Sequence, residues 1–270
     1  MATRTVQLAS VLLIAFSATA ASGLPERSWE TVLEDVLRRS ESERANVHNG
    51  TATPSRPESG KDDSPVAETP HRLVWEFVRH FSGVGATQFR SSLRRLDGYR
   101  PVFEEIFDRE GLPRTLLLVG LVESGYMPTA RSPKNAMGIW QLIPETAMRF
   151  GLEVHGKDER TDPVKSTQAA ARYLKFLYAR FGDWPLALAA YNAGERRIQD
   201  AIQRSQARDF WQLVESGSLP RETQGYVPAV LAAQYLVEGR YLQSDTTHES
   251  TPPTTRRVVY APFGISTNSP

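Results

Sequence analysis

The sequence predicts a mainly α fold: a single helical domain over residues 71–242, with a small irregular or β region among the helices. Three observations predict it. Apolar residues recur at i, i+3 and i+4 through most of that span. Helix punctuation falls at the ends of those stripes, with Asp162-Pro163 as N-cap and first helical residue, and Gly83, Gly111 and Gly182 past C-termini. No stretch alternates for long enough to build a large sheet, and there are no internal repeats.

The elements follow in order. Residues 1–20 read as an export signal: Arg4 is the positive start, Leu8 to Phe16 the apolar run, and Ala18-Thr19-Ala20 the small-x-small cleavage site. The run is short for a bilayer span, and an uncleaved anchor or a buried strand is the other reading. Residues 21–43 carry a short helix, capped by Ser28, with Trp29, Val32, Leu33, Val36 and Leu37 on one face. Residues 44–70 turn polar and rich in Pro, Ser, Thr and Gly, the composition of a disordered linker.

In the dense segment, Leu73, Val74, Phe77, Val78 and Phe81 form a stripe closed by Gly83. Leu93, Leu96, Tyr99, Val102, Phe103, Ile106 and Phe107 mark the next helix, stopped by Gly111 and Pro113. A third, strongly apolar helix runs from Thr115 to Glu123. Periodicity is lost from Ser124 to Ile143, the irregular or β region. Asp162 starts a helix carrying Ala170, Ala171, Leu174, Phe176 and Leu177, and Trp184 to Ala193 is a further buried helix. The last helix covers about Arg221 to Leu242, with its first turn bent or separate at Pro228. Residues 243–270 read as a flexible tail, in which Arg257 to Tyr260 could pair as a short strand.

Composition narrows the function. Lys and Arg total 32 against 31 Asp and Glu, so nothing suggests electrostatic capture of nucleic acid. The absence of cysteine excludes disulfides, thiolate metal sites and cysteine nucleophiles. Five scattered histidines offer no H-x-x-x-H pair, so neither a metal nor a cofactor is expected.

Glu123 is the residue that points to chemistry. It is the lone charge of the run Thr115 to Glu123, and a chain reversal follows at Ser124-Gly125-Tyr126. Burial disfavours the ionised form of a carboxyl, so its pKa should rise. An acid still protonated near neutral pH can give its proton to a leaving group. A surface Glu fraying at a helix end is the plainer reading of this residue alone.

Four short motifs then occur in order: Glu123-Ser-Gly-Tyr126; Ser132 to Gln141, running into Pro144-Glu-Thr-Ala147; Ala190-Tyr-Asn-Ala-Gly194; and Glu222-Thr-Gln-Gly-Tyr226-Val-Pro228. The set resembles the lytic transglycosylases of the goose-type lysozyme-like (SLT) superfamily. Asp158-Glu-Arg-Thr-Asp-Pro163 and Phe181-Gly-Asp-Trp184 look most like the branch of membrane-bound lytic transglycosylase D. The resemblance covers about residues 85–240 and implies an α+β lysozyme-like fold. It also implies cleavage of the MurNAc-β-1,4-GlcNAc bond of peptidoglycan by one carboxyl group. The substrate's acetamido group would stabilise the sugar cation, and the same Glu would take the C6 hydroxyl proton to close a 1,6-anhydro ring.

Residue by residue, the resemblance makes Glu123 the catalytic acid and base. Ser132, Gly138, Gln141, Tyr191, Asn192 and Tyr226 become substrate-binding residues. Each has a structural alternative: a turn hydroxyl for Ser132, a fold-shaping loop for Gly138 and Gln141, a satisfied core Asn for Asn192, a core aromatic for Tyr226. Gly138 would let backbone approach the sugar closely, and Gln141 offers a donor and an acceptor. Trp140 reads as core rather than as a sugar platform. Glu222 reads as structural, holding a helix start or an Arg, and Asp158, Glu159, Arg160 and Asp162 as a loop ion-pair network.

The branch it most resembles usually has a lipid-attachment cysteine and LysM repeats, and neither pattern is in this chain. Substrate capture is therefore expected to rest on the catalytic groove or on a partner. The expected partner is peptidoglycan glycan strands, in the periplasm, with no transmembrane span after signal removal. Secretion, and a cell-wall or secretion-machinery protein partner, stay open. A hydrolytic muramidase of the same fold and a non-catalytic peptidoglycan-binding protein are the competing readings.

Overall fold

The computed structural model describes residues 71–239 and the single position Arg38. The export signal, the linker at 44–70, the tail at 243–270 and, apart from Arg38, the helix at 21–43 lie outside the described residues. Those residues form nine α-helices and two 3₁₀ turns, with no strand beyond two isolated bridges. The mainly α expectation holds.

Helix α1 spans Arg72–Ser82, and His71 caps it by accepting the Leu73 N–H on Nδ1. Its stripe of Leu73, Val74, Phe77, Val78 and Phe81 is buried. Helix α2 spans Ala86–Glu110 and ends where Gly111 turns left-handed, at φ 72°. Leu96, Phe103, Ile106 and Phe107 face the core, but Val102 is 45% exposed and does not belong to the stripe. Pro101 sits inside α2 on its exposed side, so the lost N–H faces water.

The apolar run to Glu123 is not one helix. A 3₁₀ turn, Arg114–Leu117, leads into a short α3, Leu118–Ser124. Pro113 accepts the Leu116 N–H three residues on, which tightens the entry. Past α3, Gly125 (φ 57°) and Tyr126 (φ 63°) are both left-handed and reverse the chain. Arg95 Nε donates to the Gly125 carbonyl at 2.6 Å and holds that reversal from α2.

Residues 127–143 form the irregular region. It has two antiparallel bridges, Arg131 with Met137 and Met137 with Leu142. Helix α4, Pro144–Arg149, follows, then a 3₁₀ turn at Glu159–Thr161. Asp162 caps α5, Pro163–Phe181, by accepting the N–H groups of Val164 and Lys165.

Helix α6, Trp184–Ala193, is buried at every position, as a helix apolar all round must be. Helices α7 (Glu195–Ser205) and α8 (Phe210–Glu215) occupy a stretch where the sequence reading placed no helix. The reason is physical: α7 buries only Ile198 and Ala201, too few for a readable stripe, and α8 is six residues long. Helix α9, Arg221–Glu238, is continuous through Pro228, so the expected separate first turn is not present. It stops at Glu238, with Gly239 left-handed at φ 70°, short of the expected Leu242. Packing overrides the proline: α9 lies against α1, α3 and α6, and its core face is rich in alanine, which allows close approach. Helix α6 is the centre, touched by α5, α7, α8 and α9.

Candidate active site

Glu123 occupies the last turn of α3, where the reversal at Gly125-Tyr126 leaves its side chain inside the protein, 2% exposed. One partner reaches it. The Tyr226 hydroxyl, from α9, donates to Glu123 Oε1 at 2.7 Å. Oε2 is buried with no hydrogen-bond partner. Burial raises the Glu123 pKa from 4.5 to about 8; the Tyr226 hydrogen bond pulls it down, and the negative charge of Glu222 adds to the rise. Glu222 lies in the first turn of α9 and pairs with Lys134 at 4.0 Å.

Two more side chains show the same half-satisfied pattern. Gln141 is 2% exposed and left-handed (φ 46°). Its Nε2 donates to the carbonyls of Ala130 (3.2 Å) and Gly138 (2.8 Å), while Oε1 is buried and unpartnered. Asn192, near the end of α6, accepts the Thr223 hydroxyl on Oδ1 at 2.8 Å, while its Nδ2 is buried and unpartnered. A buried polar atom without a partner costs about 1–3 kcal/mol. Four side-chain atoms of this kind occur among the described residues: Glu123 Oε2, Gln141 Oε1, Asn192 Nδ2 and Thr115 Oγ1. Three of the four belong to the motif residues. They comprise an acid, an acceptor and a donor, each tethered by its other polar atom.

The network that holds them is continuous. Tyr226 and Thr223 are one turn apart on α9, so Glu123 and Asn192 are anchored on one helix face. Tyr191 donates its hydroxyl to the Trp140 carbonyl at 2.7 Å, tying α6 to the residue before Gln141. Ser124 Oγ donates to the Ile139 carbonyl at 2.8 Å, tying the loop to α3. Burial pushes the Tyr191 and Tyr226 hydroxyls well above 10, with the Glu123 charge as a further cause, so both are donors across the physiological range.

The other expected site residues have structural partners. Ser132 Oγ accepts from the N–H groups of Lys134 (3.2 Å) and Ala136 (3.0 Å) and builds the loop turn. Gly138, at φ 82°, packs on the Arg160 carbonyl: a Cβ there would sit 1.9 Å from that oxygen. Trp140 is core, as expected, with its indole N–H on Thr167 Oγ1 at 2.8 Å and its ring on Phe107. Arg160 is 3% exposed. It pairs with Asp158 at 2.7 Å and donates to the carbonyls of Asn135 and Leu142, so it clamps the loop that carries Gln141.

Sequence reasoning gave no role to Thr223 and left out Tyr173, whose ring lies 5.1 Å from that of Tyr191. Thr223 lies inside the motif that begins at Glu222, one turn before Tyr226, and that spacing is the available signal. Nothing comparable marked Tyr173.

Residues 101–214 match the family model of the transglycosylase SLT domain. That segment, less than half of the chain, is similar to the transglycosylase SLT domain family. Among relatives, the chain is 42% identical over 151 residues to membrane-bound lytic murein transglycosylase D of Escherichia coli K12, a stretch covering 53% of this chain and 32% of that protein. It is 32% identical over 164 residues to membrane-bound lytic murein transglycosylase F of Alcanivorax borkumensis, covering 54% and 34%. The chain thus spans about a third of the length of these curated relatives. The 70-kDa soluble lytic transglycosylase in complex with bulgecin A shares the fold, with a TM-score of 0.51 at 21% identity, over 88% of this chain and 40% of that one. The matched SLT segment holds Glu123, Gln141 and Asn192, while Tyr226 and Thr223 lie beyond its end on α9. Helix α9 therefore completes the arrangement around the SLT carboxyl group.

Proposed function

We propose that the chain is a peptidoglycan lytic transglycosylase that cleaves the MurNAc-β-1,4-GlcNAc bond without water. The observation that carries this reading is Glu123: buried, held by Tyr226 on Oε1, with Oε2 free. With a pKa near 8 the carboxyl is protonated at neutral pH. Because Oε1 accepts from Tyr226, the acidic proton belongs on Oε2, the atom left without a protein partner.

The steps balance on this one residue. Glu123 Oε2 gives its proton to the glycosidic oxygen as the C1–O bond breaks. The substrate's acetamido oxygen stabilises the positive charge at C1, which a second carboxylate does in most glycosidases. The Glu123 carboxylate then takes the proton of the MurNAc C6 hydroxyl, whose oxygen bonds to C1. The product ends in 1,6-anhydro-MurNAc, and Glu123 is protonated again. Gln141 Oε1 and Asn192 Nδ2 supply an acceptor and a donor for the sugar, beside a loop shaped by Ser132 and Gly138 and tied to α6 by Tyr191. The relatives' names, which specify lytic murein transglycosylases, support this substrate class. The proposal extends to a catalytic domain over residues 71–242, exported to the periplasm behind a signal at 1–20. Among the described residues no helix is long and apolar enough to cross a membrane.

Digestion of purified sacculi with mass spectrometry of the muropeptides tests the reaction. Anhydro ends are one water lighter than reducing ends; reducing ends alone would make the protein a hydrolytic muramidase, and no cleavage a binding protein.

The pH profile is a second expected outcome. Activity that needs the protonated acid should persist to about pH 8 and fall above it, through the Glu123 pKa. An ordinary Glu would lose its proton above about 4.5. Tyr226→Phe removes the hydrogen bond that lowers this pKa, so the alkaline limb should move to higher pH. Turnover should slow by about 10- to 100-fold, the range expected for one lost hydrogen bond to a reacting group. A limb that stays in place in Tyr226→Phe would detach that limb from Glu123.

A further inference from the structure

We infer that Thr223 is a positioning residue: its hydroxyl fixes the Asn192 amide so that Nδ2, a donor, faces the substrate. The inference rests on the transglycosylase reading above and adds a residue to it. Thr223 is fully buried in the first turn of α9, and Asn192 is 4% exposed near the end of α6. The two side chains meet at 2.8 Å, Oγ1 to Oδ1. Two acceptor oxygens can share a hydrogen bond only if the hydroxyl donates, so this contact commits the threonine proton to Asn192.

A helical threonine ordinarily turns its hydroxyl to the carbonyl three or four residues back. Thr223 departs from this pattern, and its neighbour Gln224 bonds both of those carbonyls. The Leu219 carbonyl takes Gln224 Nε2 at 2.9 Å, and the Pro220 carbonyl takes the Gln224 N–H at 3.0 Å. The Thr223 proton goes across to α6 instead. The result is a buried amide with one end anchored and the other unpartnered. A core asparagine placed for stability would have both ends bonded.

The flipped amide would need Thr223 to accept from Nδ2 and would present Oδ1, an acceptor, in place of the donor. Thr223 therefore sets the polarity of this subsite. What it selects is an acceptor oxygen on the sugar, a carbonyl or ring-substituent oxygen. Gln141 complements it: its Nε2 is anchored on two carbonyls and its acceptor is left free.

The test is steady-state kinetics on soluble, uncross-linked glycan strands. Thr223→Val, nearly isosteric, should raise KM about tenfold with a smaller change in kcat, the size of one lost hydrogen bond. Thr223→Ser, which keeps the hydroxyl, should restore KM. In an Asn192→Ala background, Thr223→Val should add no further loss, because the two residues act through one atom. A wild-type KM in Thr223→Val, or losses that add in the double variant, would overturn the role. A lowered Tm with unchanged KM would mark Thr223 as purely structural and overturn it equally. Thr223→Ala gives the same comparison if the valine variant does not fold. Glu123→Gln, assayed alongside, separates the two readings. Cleavage by that variant sinks the transglycosylase mechanism, whereas a dead Glu123→Gln beside a wild-type KM in Thr223→Val sinks only the role of Thr223.

Discussion

Glu123→Gln abolishes release of muropeptides from sacculi while the protein stays folded. The amide keeps the shape of the side chain and can still accept from Tyr226 on its oxygen, so the contact at 2.7 Å survives. What is lost is the titrating proton, and with it both the acid and the base step. Glu222, the carboxylate whose charge bears on Glu123, is paired with Lys134, and Asp158 with Arg160. The loss should exceed about 10³-fold, more than general acid–base catalysis contributes at its lower end. Activity within tenfold of wild type would remove Glu123 from the mechanism. The same variant carries a stability signature. A carboxyl whose folded pKa is raised from 4.5 to about 8 favours the folded state fully below pH 4.5, and that contribution is lost as pH rises towards 8. Glutamine does not titrate. Glu123→Gln should therefore melt at a higher temperature than wild type at pH 9 and near the wild-type temperature at pH 4. Thermal melts at the two pH values check it, and a mutant less stable than wild type at pH 9 contradicts the burial argument. Greater stability with no activity is what a side chain placed for chemistry rather than for packing should give.

Much of this was legible in the sequence, for reasons that differ by residue. The stripes of α1, α2 and α5 could be read because one face of each is buried, and Asp162-Pro163 because capping is local chemistry. Helix α7 could not, since it buries too little to write a period. The break of the Thr115–Glu123 run into a 3₁₀ turn and a short helix was also invisible. Every residue there except Val122 is buried, so no period marks where one helix type gives way to the other. For the site, motif order identified the residues but not how each is used. Ser132, Gly138 and Gln141 read alike as loop residues facing a sugar. In the structure Ser132 builds the turn, Gly138 makes room for Arg160, and only Gln141 leaves a polar atom free. That division depends on a contact between Gly138 and Arg160, 22 positions apart in the chain, which spacing within a motif does not encode.

Gly138→Ala should be the most destabilising single-methyl change in the loop. Two effects act together. The left-handed backbone at φ 82° disfavours any side chain, and the added Cβ would lie 1.9 Å from the Arg160 carbonyl oxygen and 2.9 Å from its carbon. Real contacts of that kind lie beyond about 3 Å, so a backbone segment must move, at roughly 1–3 kcal/mol for overpacking plus about 1–2 kcal/mol for the left-handed conformation. Gly182→Ala separates the two. It has a similar φ of 66° at the end of α5, with nothing within 4 Å of the new methyl, so it should lose only the conformational part, about 1–2 kcal/mol. Urea denaturation of both variants reads the difference in midpoint at unchanged slope. Equal losses would show that the Arg160 contact is not what demands glycine. The segment that must yield is the one whose guanidinium holds the Asn135 and Leu142 carbonyls. Its displacement loosens both ends of the loop at once. Gln141 sits inside that loop in a strained conformation, anchored to the carbonyl of Gly138 itself. Gly138→Ala should thus reduce activity even at temperatures where the protein remains folded. A variant that is destabilised yet fully active when folded would show instead that the free Gln141 oxygen does not depend on this clamp.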